Sequence, residues 1–592
     1  MLNKNVEPAR PRAGIVEENY DFDDEVIAKR LEDVHIRRSL ATTYSFDHSF
    51  KTKIDAEVEQ HMNQERARHP SSWSEEPYNA DLTKHEIEAS ILGVKENGSL
   101  GPDGLHPKML KFGGKLVVDA TVMLLQFSWY IAQFASSFKR QNMIYLQKPD
   151  KPDYNHEKSY RPISLTSILG KIFEEIIARR LVAFLHEVGF FENQPQFAYL
   201  KGLDATQALL LLTLHVQDSF KNGKYTAAAF LDMEGAFDSV WRKGLIHKLI
   251  KLGLKGRLLL IIDDFLKNRL TRSMVNNIIT NYISTEVGVP QGSVLSVILF
   301  LVFFGDMSDD LSTHFKFADD LTVWQTDESP DKAADMLTTA LTEVYTWSQK
   351  WQMGISAPKS KIMCFSHKSH HNIEVKYNHQ PLEQVIEIRS LGVILDERLT
   401  FKPHVDKATK TAGQIISKLG VFSKEIGGAP AQINLMLYKS CILLQLEYGY
   451  PVWCGSKHAD NIHSIQYTAL RKALGVLDKS SGAKIELLAH ILPIDIRLDT
   501  TLIMAFIRIF RQPPSNRLRQ LVSKLMTCPR HQDHRIITPI HKFKMASRYL
   551  MDFNLTDIEE IYHETVSDIT RKRPTLADFD TDLGSAGSRS AE

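Results

Sequence analysis

Three aspartates stand at the ends of apolar segments, where a charged side chain needs a physical explanation. Asp232 directly follows the apolar run of residues 225–231, and the pair Asp319 and Asp320 separates two further strand-like segments. A carboxylate at the end of a buried strand is costly unless another group compensates its charge. Carboxylates brought together repel one another, and a divalent cation is the usual compensation. Mg²⁺ prefers hard oxygen ligands and commonly takes one or two carboxylates together with substrate phosphates.

Such a carboxylate cluster would support phosphoryl transfer. Two metal ions about 3.5–4 Å apart stabilise both the attacking and the leaving oxygen of an in-line displacement at phosphorus. The alternative is structural, because Asp is common at helix N-caps and in turns. A single Asp favours that structural explanation, whereas an Asp pair between two apolar strands leaves both explanations open.

The strands and helices that would position these carboxylates can be predicted from apolar periodicity. Residues 225–231 are a short continuous apolar run, typical of a strand buried on both faces. Residues 315–318 and 321–324 predict a tight hairpin with Asp319 and Asp320 at its tip. Helical spacing covers residues 83–91, 173–188, 206–216 and 240–250. Strands that alternate with helices, followed by a late run of helices, indicate an α+β fold with an all-helical C-terminal part.

Composition narrows the class of protein. The 592 residues carry 72 basic and 71 acidic side chains, with 43% apolar and 24% charged residues, which excludes collagen-like, mucin-like and wholly disordered chains. Four cysteines make no disulfide framework, the N-terminus is polar, and the longest apolar run, residues 294–304, is shorter than the ~20 residues of a membrane span. We therefore expect a soluble intracellular protein, in the nucleus, the cytoplasm or both, without a membrane partner. The net charge of +1 leaves a nucleic-acid partner open, because a polyanion responds to local basic clusters.

Six sequence blocks, in order along residues 101–396, resemble the reverse transcriptases of non-LTR (LINE-like) retrotransposons. The blocks are 160–165 (YRPISL, with Lys171 and Glu174 downstream) for the fingers motif, 230–240 (FLDMEGAFDSV) for motif A, 288–296 (GVPQGSVLS) for motif B, 317–320 (FADD) for motif C, 358–361 (PKSK) for motif D and 391–396 (LGVILD) for motif E. Residues 447–453 and 466–475 extend the likeness to residue 495, in the manner of jockey-type elements. An ordered set of this kind makes chance agreement implausible.

The resemblance implies a right-hand polymerase, an α+β fold with fingers, a palm built on an antiparallel sheet, a helical thumb and a helical C-terminal extension. The domains expected from it are an N-terminal charged and linker region (1–95), fingers and palm (96–400), a helical thumb (401–500) and a basic C-terminal region with a disordered tail (501–592). It also implies an RNA-directed DNA polymerase, a nucleotidyltransferase that uses an RNA template, a DNA primer, dNTPs and two Mg²⁺ ions, with Mn²⁺ as a substitute.

Roles in the chemical step follow from the matched motifs. Asp232 and Asp319 would hold the two metal ions, and Asp320 would be the third carboxylate, at the primer terminus. Lys359 matches the motif D lysine, which implies a proton donor to the pyrophosphate leaving group. Two positions depart from the family pattern: Val297 stands where motif B usually has Pro, and Ser356 where the family has Asn before motif D. Neither would hold metal, so we expect lowered efficiency at most.

Other matched residues would bind the incoming nucleotide. Phe237, five residues after Asp232, resembles the aromatic steric gate that crowds a 2′-hydroxyl. Gln291 would contact the sugar and base region, and Gly292 would permit close approach of the backbone to the nucleotide. Lys148 and Arg161 match the cationic fingers positions that contact the triphosphate.

The flanking segments bear on nucleic-acid contact and on partners. The residues before the blocks are too few for the family's N-terminal endonuclease, so we expect no target nicking by this chain and, as a further partner, a separate endonuclease or an element-encoded RNA-binding protein. Residues 501–550 carry ten basic residues and one acidic residue, which favours contact with a nucleic-acid backbone over a solvated helical face. Cys528, His531 and His534 lack an obvious fourth ligand, which disfavours a metal site there.

Two other functions stay open at this point. A catalytically silent remnant that only binds nucleic acid would keep the same blocks, and the intact Asp232, Asp319 and Asp320 argue only against inactivity by substitution. A two-metal nuclease would use the same carboxylates, although it has no need of Phe237 or of the Pro-Gln-Gly loop.

Overall fold

The computed structural model describes residues 24–39 and 47–552, with internal gaps at 70–71, 74–75, 150, 152, 155, 193, 277, 309–310, 368, 426–428, 478 and 528–538. Within these residues the fold is mixed α+β, with a helical C-terminal region, as the sequence predicts. No helix in this part of the chain is both long and apolar enough to cross a membrane.

The N-terminal part consists of six helices and an antiparallel strand pair. Its elements are α1 (Asp24–Ser39), α2 (His48–Ala67), α3 (Lys84–Gly93), α4 (Pro107–Phe112), α5 (Gly114–Tyr130), β1 (Arg140–Gln147), β2 (Tyr160–Thr166) and α6 (Ile168–Glu187). β1 and β2 pair in register, with Gln147 opposite Tyr160. Thr83 caps α3 by accepting a hydrogen bond from the Glu86 amide, which confirms the helix start predicted at that threonine.

Two five-stranded sheets, two small two-stranded sheets and their covering helices involve the middle of the chain. The elements are α7 (Ala205–Lys221), β3 (Tyr225–Leu231), α8 (Arg242–Lys251), α9 (Gly256–Leu266), β4 (Arg269–Val275), β5 (Ile278–Ile279), β6 (Ile283–Thr285), α10 (Val294–Gly305), β7 (His314–Phe317), β8 (Asp320–Asp327), α11 (Pro330–Trp351), β9 (Lys361–Phe365), β10 (Lys376–Tyr377), β11 (Gln380–Pro381), β12 (Glu383–Gln384), β13 (Glu387–Ser390) and β14 (Val393–Asp396). One sheet has the order β2-β1-β4-β5, with β6 beside β4. The other, which we call the palm sheet, has the order β12-β9-β3-β8-β7, and its central strand β3 pairs antiparallel with β8 and β9.

The central strand β3 is buried on both faces, which explains its run of alanines. Ala227 and Ala229 belong to a core shared with α10 and α11, whereas Ala228 and Phe230 belong to a second core shared with α7 and the C-terminal helices. Small side chains let these layers pack closely on either side of the strand. The strand predicted over residues 225–231 is therefore confirmed, together with its burial on both faces.

Helices form the remainder of the described chain, apart from a π-helical segment at Tyr438–Leu443. They are α12 (Lys402–Glu425), α13 (Ala431–Leu437), α14 (Leu444–Glu447), α15 (Tyr450–Trp453), α16 (Asn461–Leu474), α17 (Gly482–Leu488), α18 (Ile494–Phe510), α19 (Arg517–Thr527) and α20 (Pro539–Asp552). α18 runs across the boundary expected at residue 500. Phe506 of α18, Val522 of α19 and Phe543 of α20 lie in the same core as Ala228, and α19 packs on α7, so these helices join the layer that covers the palm sheet.

Two features of the fold differ in detail from what the sequence predicts. Within the expected charged linker over residues 1–95, α2 buries Ile54, Val58 and Met62 in the core that contains α10. One apolar residue per turn is enough for this packing but too sparse to stand out in a charged segment. The hairpin tip is formed by Ala318 and Asp319, because Phe317 pairs with Asp320, which is the first residue of β8.

Candidate active site

Three carboxylates meet at one end of the palm sheet because of how its strands pair. β3 ends at Leu231, which lies opposite Leu321 of β8, and Asp232 follows directly. Asp319 lies in the turn between β7 and β8, and Asp320 opens β8. The register therefore brings Asp232 to the strand end that carries the other two carboxylates.

A buried glutamine holds the β7–β8 turn in place. The side-chain oxygen of Gln196 accepts a hydrogen bond from the Ala318 amide at 3.1 Å, and Gln196 is only 3% exposed. The segment around it adds to β7, because the Phe197 amide donates to the Lys316 carbonyl at 2.9 Å. Ala318 itself has a φ of 55°, a left-handed conformation of the kind that two-residue hairpin turns use. No sequence signal marks Gln196, because it is a single polar residue in a loop far from either carboxylate block.

The carboxylates perturb one another's protonation. Burial raises the pKa of Asp319, and the negative charge of Asp232 raises it further, whereas Arg161 and Lys359 act in the opposite direction. Partial removal from solvent raises the pKa of Asp320 to about 7, and the negative charges of Asp319 and Asp232 contribute to the rise. Burial and mutual repulsion both disfavour the ionised forms of these carboxyl groups, a condition that a divalent cation relieves.

Lys359 lies against the first carboxylate of this cluster. Its Nζ is 3.0 Å from Oδ2 of Asp232, and the two side chains are 65% and 43% exposed. The segment that carries Lys359 is tied to Asp232 through the backbone, since the Ser356 amide donates to the Asp232 carbonyl at 2.9 Å and Ser360 Oγ accepts from the Asp232 amide at 3.3 Å. Ser356, a departure from the family pattern, therefore anchors motif D to motif A through its backbone.

The donor set fits a divalent cation that is completed by substrate. Among the described residues, no three His, Cys, Asp or Glu side chains are arranged to hold a metal ion by themselves. Carboxylate oxygens are nevertheless the ligands that Mg²⁺ prefers, and Mg²⁺ ordinarily needs only one or two of them when substrate phosphates supply the rest.

The turn after Asp232 packs against the loop that leads into α10. Phe237 is partly buried and stacks on Phe300, with ring centroids 4.8 Å apart and planes inclined by 20°. Its carbonyl accepts a hydrogen bond from the Val289 amide at 2.8 Å. Gly288 has a φ of 80°, and a Cβ there would lie 2.7 Å from the Asp238 carbonyl oxygen, so only glycine fits at this junction.

The loop that carries Gln291 and Gly292 is bound to strand β2 of the fingers. The Ser164 amide donates to the Gln291 carbonyl at 2.7 Å. Gly292 has a φ of 111°, and a Cβ there would lie 3.1 Å from the Ser164 carbonyl oxygen. From the sequence, glycine is expected at position 292 because a nucleotide approaches the backbone there. The structure adds a second reason, which is the close approach of β2.

Buried charged side chains support this loop from behind. Glu174 is fully buried and accepts a hydrogen bond from the Ser293 hydroxyl at 2.5 Å, while Ser293 caps α10. Burial raises the pKa of Glu174, and the hydrogen bond from Ser293 and the charge of Arg269 oppose the rise. Arg242 donates to the carbonyls of Val287 and Gly288 in the segment before the loop. Sequence reasoning missed Arg242, because nothing in its spacing distinguishes it from a surface cation.

The two cationic fingers positions lie on the β1–β2 pair. Arg161 is exposed in β2, opposite Leu146, and its charge opposes the rise in the pKa of Asp319. Lys148 follows β1, and its amide donates to the Ser159 carbonyl at 2.8 Å. The structure therefore relates Arg161 to the carboxylate cluster through its charge and places Lys148 at the same end of the strand pair.

Several cations of the basic segment 501–550 are engaged within the protein. Arg508 pairs with Asp204 at 3.4 Å, Arg517 donates to the Ser312 carbonyl at 3.3 Å, and Lys542 pairs with Asp499 at 3.3 Å. These contacts join α18 and α19 to the palm and α20 to α18. Nucleic-acid contact by this segment stays a prediction, and Cys528, His531 and His534 lie outside the described residues.

Comparisons with known proteins bear on the same region of the chain. Residues 146–395 match the reverse transcriptase (RNA-dependent DNA polymerase) family. The chain is 29% identical over 356 residues to a probable RNA-directed DNA polymerase from transposon BS of Drosophila melanogaster, covering 58% of this chain and 39% of that relative. It is 30% identical over 400 residues to the corresponding protein from transposon X-element of the same species, covering 66% of this chain and 44% of the relative.

A third relative extends the similarity. The RNA-directed DNA polymerase from mobile element jockey of Drosophila melanogaster is 24% identical over 424 residues, covering 69% of this chain and 46% of that protein. The chain thus spans less than half the length of each of these curated relatives.

Proposed function

We propose that the protein is an RNA-directed DNA polymerase, because residues 146–395 match the reverse transcriptase family and the similar proteins are RNA-directed DNA polymerases of transposons and mobile elements. It would add dNTPs to the 3′-hydroxyl of a DNA primer on an RNA template. The observation that carries the proposal is the meeting of Asp232, Asp319 and Asp320 at one end of the palm sheet, within electrostatic reach of Arg161 and Lys359. Template grip would rest on backbone contacts and on the shape of the hybrid, so sequence preference should be weak.

Reverse transcriptases generally use divalent metal ions. We propose two Mg²⁺ ions here, replaceable by Mn²⁺, with Asp232 and Asp319 as ligands and Asp320 beside them at the primer terminus. When bound, the ions would supply electrostatic stabilisation of the attacking and leaving oxygens. The raised pKa values of Asp319 and Asp320 support this assignment, because nearby positive charge would stabilise their ionised forms.

The other side chains would position the nucleotide and move a proton. Arg161 and Lys148 would contact the triphosphate from the β1–β2 pair, where guanidinium gives bidentate phosphate contact. Lys359, whose Nζ lies 3.0 Å from Oδ2 of Asp232, would deliver a proton to the departing pyrophosphate.

Discrimination and alignment would come from the two segments that pack on α10. Phe237, backed by Phe300, would exclude a ribose 2′-hydroxyl by steric clash. Gln291 and Gly292 would align the sugar and base, and their attachment to β2 through Ser164 would hold that surface still.

Primer extension tests the proposal directly. Purified protein, oligo(dT) on poly(rA), Mg²⁺ and dTTP should give extension, and Asp319→Asn, which keeps the size of the side chain but removes its charge, should give none. Extension by the parent alone would establish the activity and the part played by Asp319. If the folded protein binds the hybrid but does not extend the primer, the protein is a catalytically silent remnant and the proposal is wrong. If it cleaves the hybrid without extending the primer, it is a nuclease.

Location and further partners are proposals of the same kind. We propose an intracellular site of action, in the nucleus, the cytoplasm or both, and a separate endonuclease or RNA-binding protein as an additional partner. Imaging of a tagged chain in cells, with co-purification under RNase treatment, would test both statements. Secretion of the tagged chain would contradict the first, and recovery of the tagged chain without either class of partner would contradict the second.

A further inference from the structure

A groove at the far end of the palm sheet combines positive charge with aromatic side chains. It has a volume of about 450 Å³. We call it the rear groove. Its lining includes Phe220, Lys221, His367, Arg398, Lys457 and His458.

The rear groove is remote from the carboxylate cluster. Lys221 ends α7, just before β3 begins at Tyr225, whereas Asp232 follows the opposite end of β3. His367 lies two residues past β9, whose Phe365 pairs with Thr226 at that same far end. A strand of seven residues separates its two ends by about 20 Å. The rear groove and the carboxylate cluster are therefore separated by the length of β3.

Four separate chain segments build the groove, and hydrogen bonds fix them to one another. These segments are the end of α7, the residues after β9, the β14–α12 connection and the α15–α16 connection. Ser456 Oγ donates to the Thr400 carbonyl at 2.7 Å, which joins the last two segments. The Ser366 amide donates to the Glu397 carbonyl at 3.0 Å, which joins the second to the third. The cations are therefore presented by a common framework and not by one exposed helix.

The charge of the groove is not balanced by its own walls. No acidic side chain is among the described residues that line it. Of the nearby carboxylates, Asp396 accepts hydrogen bonds from the amides of Arg398, Thr400 and Phe401. Glu397 contacts His370, with Nδ1 2.7 Å from its Oε2, and its Oε1 lies 3.8 Å from Nε of Arg398. The three Lys and Arg side chains that line the groove outnumber these two carboxylates, so local positive potential is retained although the whole chain has a net charge of only +1.

We propose that the rear groove binds the phosphate backbone of single-stranded nucleic acid outside the polymerase cleft. Arg398 and Lys457 are exposed on opposing segments and would contact phosphates, and the His367 ring, which packs edge-on against Phe220 with centroids 5.8 Å apart, would offer a surface for a base. Cations that follow the backbone, combined with aromatic surface, are the usual means of holding a single strand. RNA and DNA share this chemistry, and the experiment distinguishes them. The inference rests on the groove and does not depend on the polymerase activity.

Charge reversal at the two exposed cations tests the groove. The full chain, with its cleft saturated by unlabelled template–primer, would be titrated with labelled oligo(U) RNA or oligo(dT) DNA over a range of salt. Arg398→Glu with Lys457→Glu should weaken binding about tenfold or more and reduce the slope of log K against log salt by about 1.4, as expected for two lost phosphate contacts. Lys108→Glu with Lys115→Glu, which reverses two exposed cations on α4 and α5, is the matched control and should leave binding nearly unchanged.

The outcomes separate the proposal from its alternatives. Loss with both oligonucleotides supports backbone binding, and loss with RNA alone supports the proposal with RNA as the ligand. Equal binding by the two double variants would overturn it. If the reversed variant does not fold, Arg398→Ala with Lys457→Ala replaces it, and crosslinking of 4-thiouridine RNA to the peptide that contains His458 gives an independent readout. If the template–primer itself does not bind, the proposed function fails, but the difference between the two variants still reports on the groove.

Discussion

Gly288 offers a sharp test of the junction between the turn that carries Phe237 and the loop that carries Gln291. In Gly288→Ala the new Cβ would lie 2.7 Å from the carbonyl oxygen and 2.9 Å from the Cα of Asp238. Both are backbone atoms, so the turn itself must move. The φ of 80° alone costs about 1–2 kcal/mol for a residue with a side chain. Overpacking of this kind adds about 1–3 kcal/mol.

Gly253→Ala is the matched control for that substitution. Gly253 has a φ of 92°, but a Cβ there would meet nothing within 4 Å. Urea unfolding should show a lower free energy of unfolding in both variants, because both place a side chain at a positive φ. The decrease should be larger in Gly288→Ala, where the new Cβ also meets backbone atoms. Primer extension at saturating hybrid should fall about tenfold or more in Gly288→Ala, because displacement of reacting groups by less than 1 Å is costly, and stay near parental in Gly253→Ala. Equal stability losses together with parental extension by both variants would refute the reasoning.

Four further predictions concern other parts of the molecule. Phe237→Ala should incorporate ribonucleotides while dNTP addition is largely retained, whereas Phe237→Tyr should still exclude ribonucleotides. Unchanged rNTP incorporation by the alanine variant would show that Phe237 is not the steric gate. Lys359→Arg should keep the pairing with Asp232 yet slow single-turnover addition about 100-fold, because Arg does not release a proton, and a parental rate would exclude proton donation. Burial lowers the pKa of His314 to about 2 and that of His404 to about 4, so each is neutral when folded but protonates on unfolding. The free energy of unfolding should therefore fall as the pH drops below about 6.5, by about 1.4 kcal/mol per histidine at one pH unit below, and a flat urea-unfolding profile from pH 7.5 to 5.5 would contradict this. Deletion of the chain after residue 500 should yield misfolded protein at any salt concentration, because α18–α20 share a core with β3. A folded product whose template affinity is reduced in a salt-dependent way would show instead that these helices contact nucleic acid.

Local elements of this protein could be predicted because local sequence determines them. The strand β3 (Tyr225–Leu231) follows from a continuous apolar run, and the start of α3 follows from a threonine before an apolar period. The hairpin that carries Asp319 was predictable within one residue, because alternating segments flank a short polar turn. The ordered blocks also assigned candidate roles to residues from Lys148 to Lys359. Each of these inferences depends on residues that are neighbours in the chain.

The sequence by itself thus determined the α+β class, the central strand and the set of carboxylates. Only the tertiary structure decided what holds them: Gln196 on the Ala318 amide, Ser293 on Glu174, and Ser164 against Gly292. It also decided that the C-terminal helices share a core with β3. The physical reason is that such contacts join residues far apart in the chain, where a single buried polar group or a close backbone approach leaves no periodic pattern. Their positions become determined only when the layers pack.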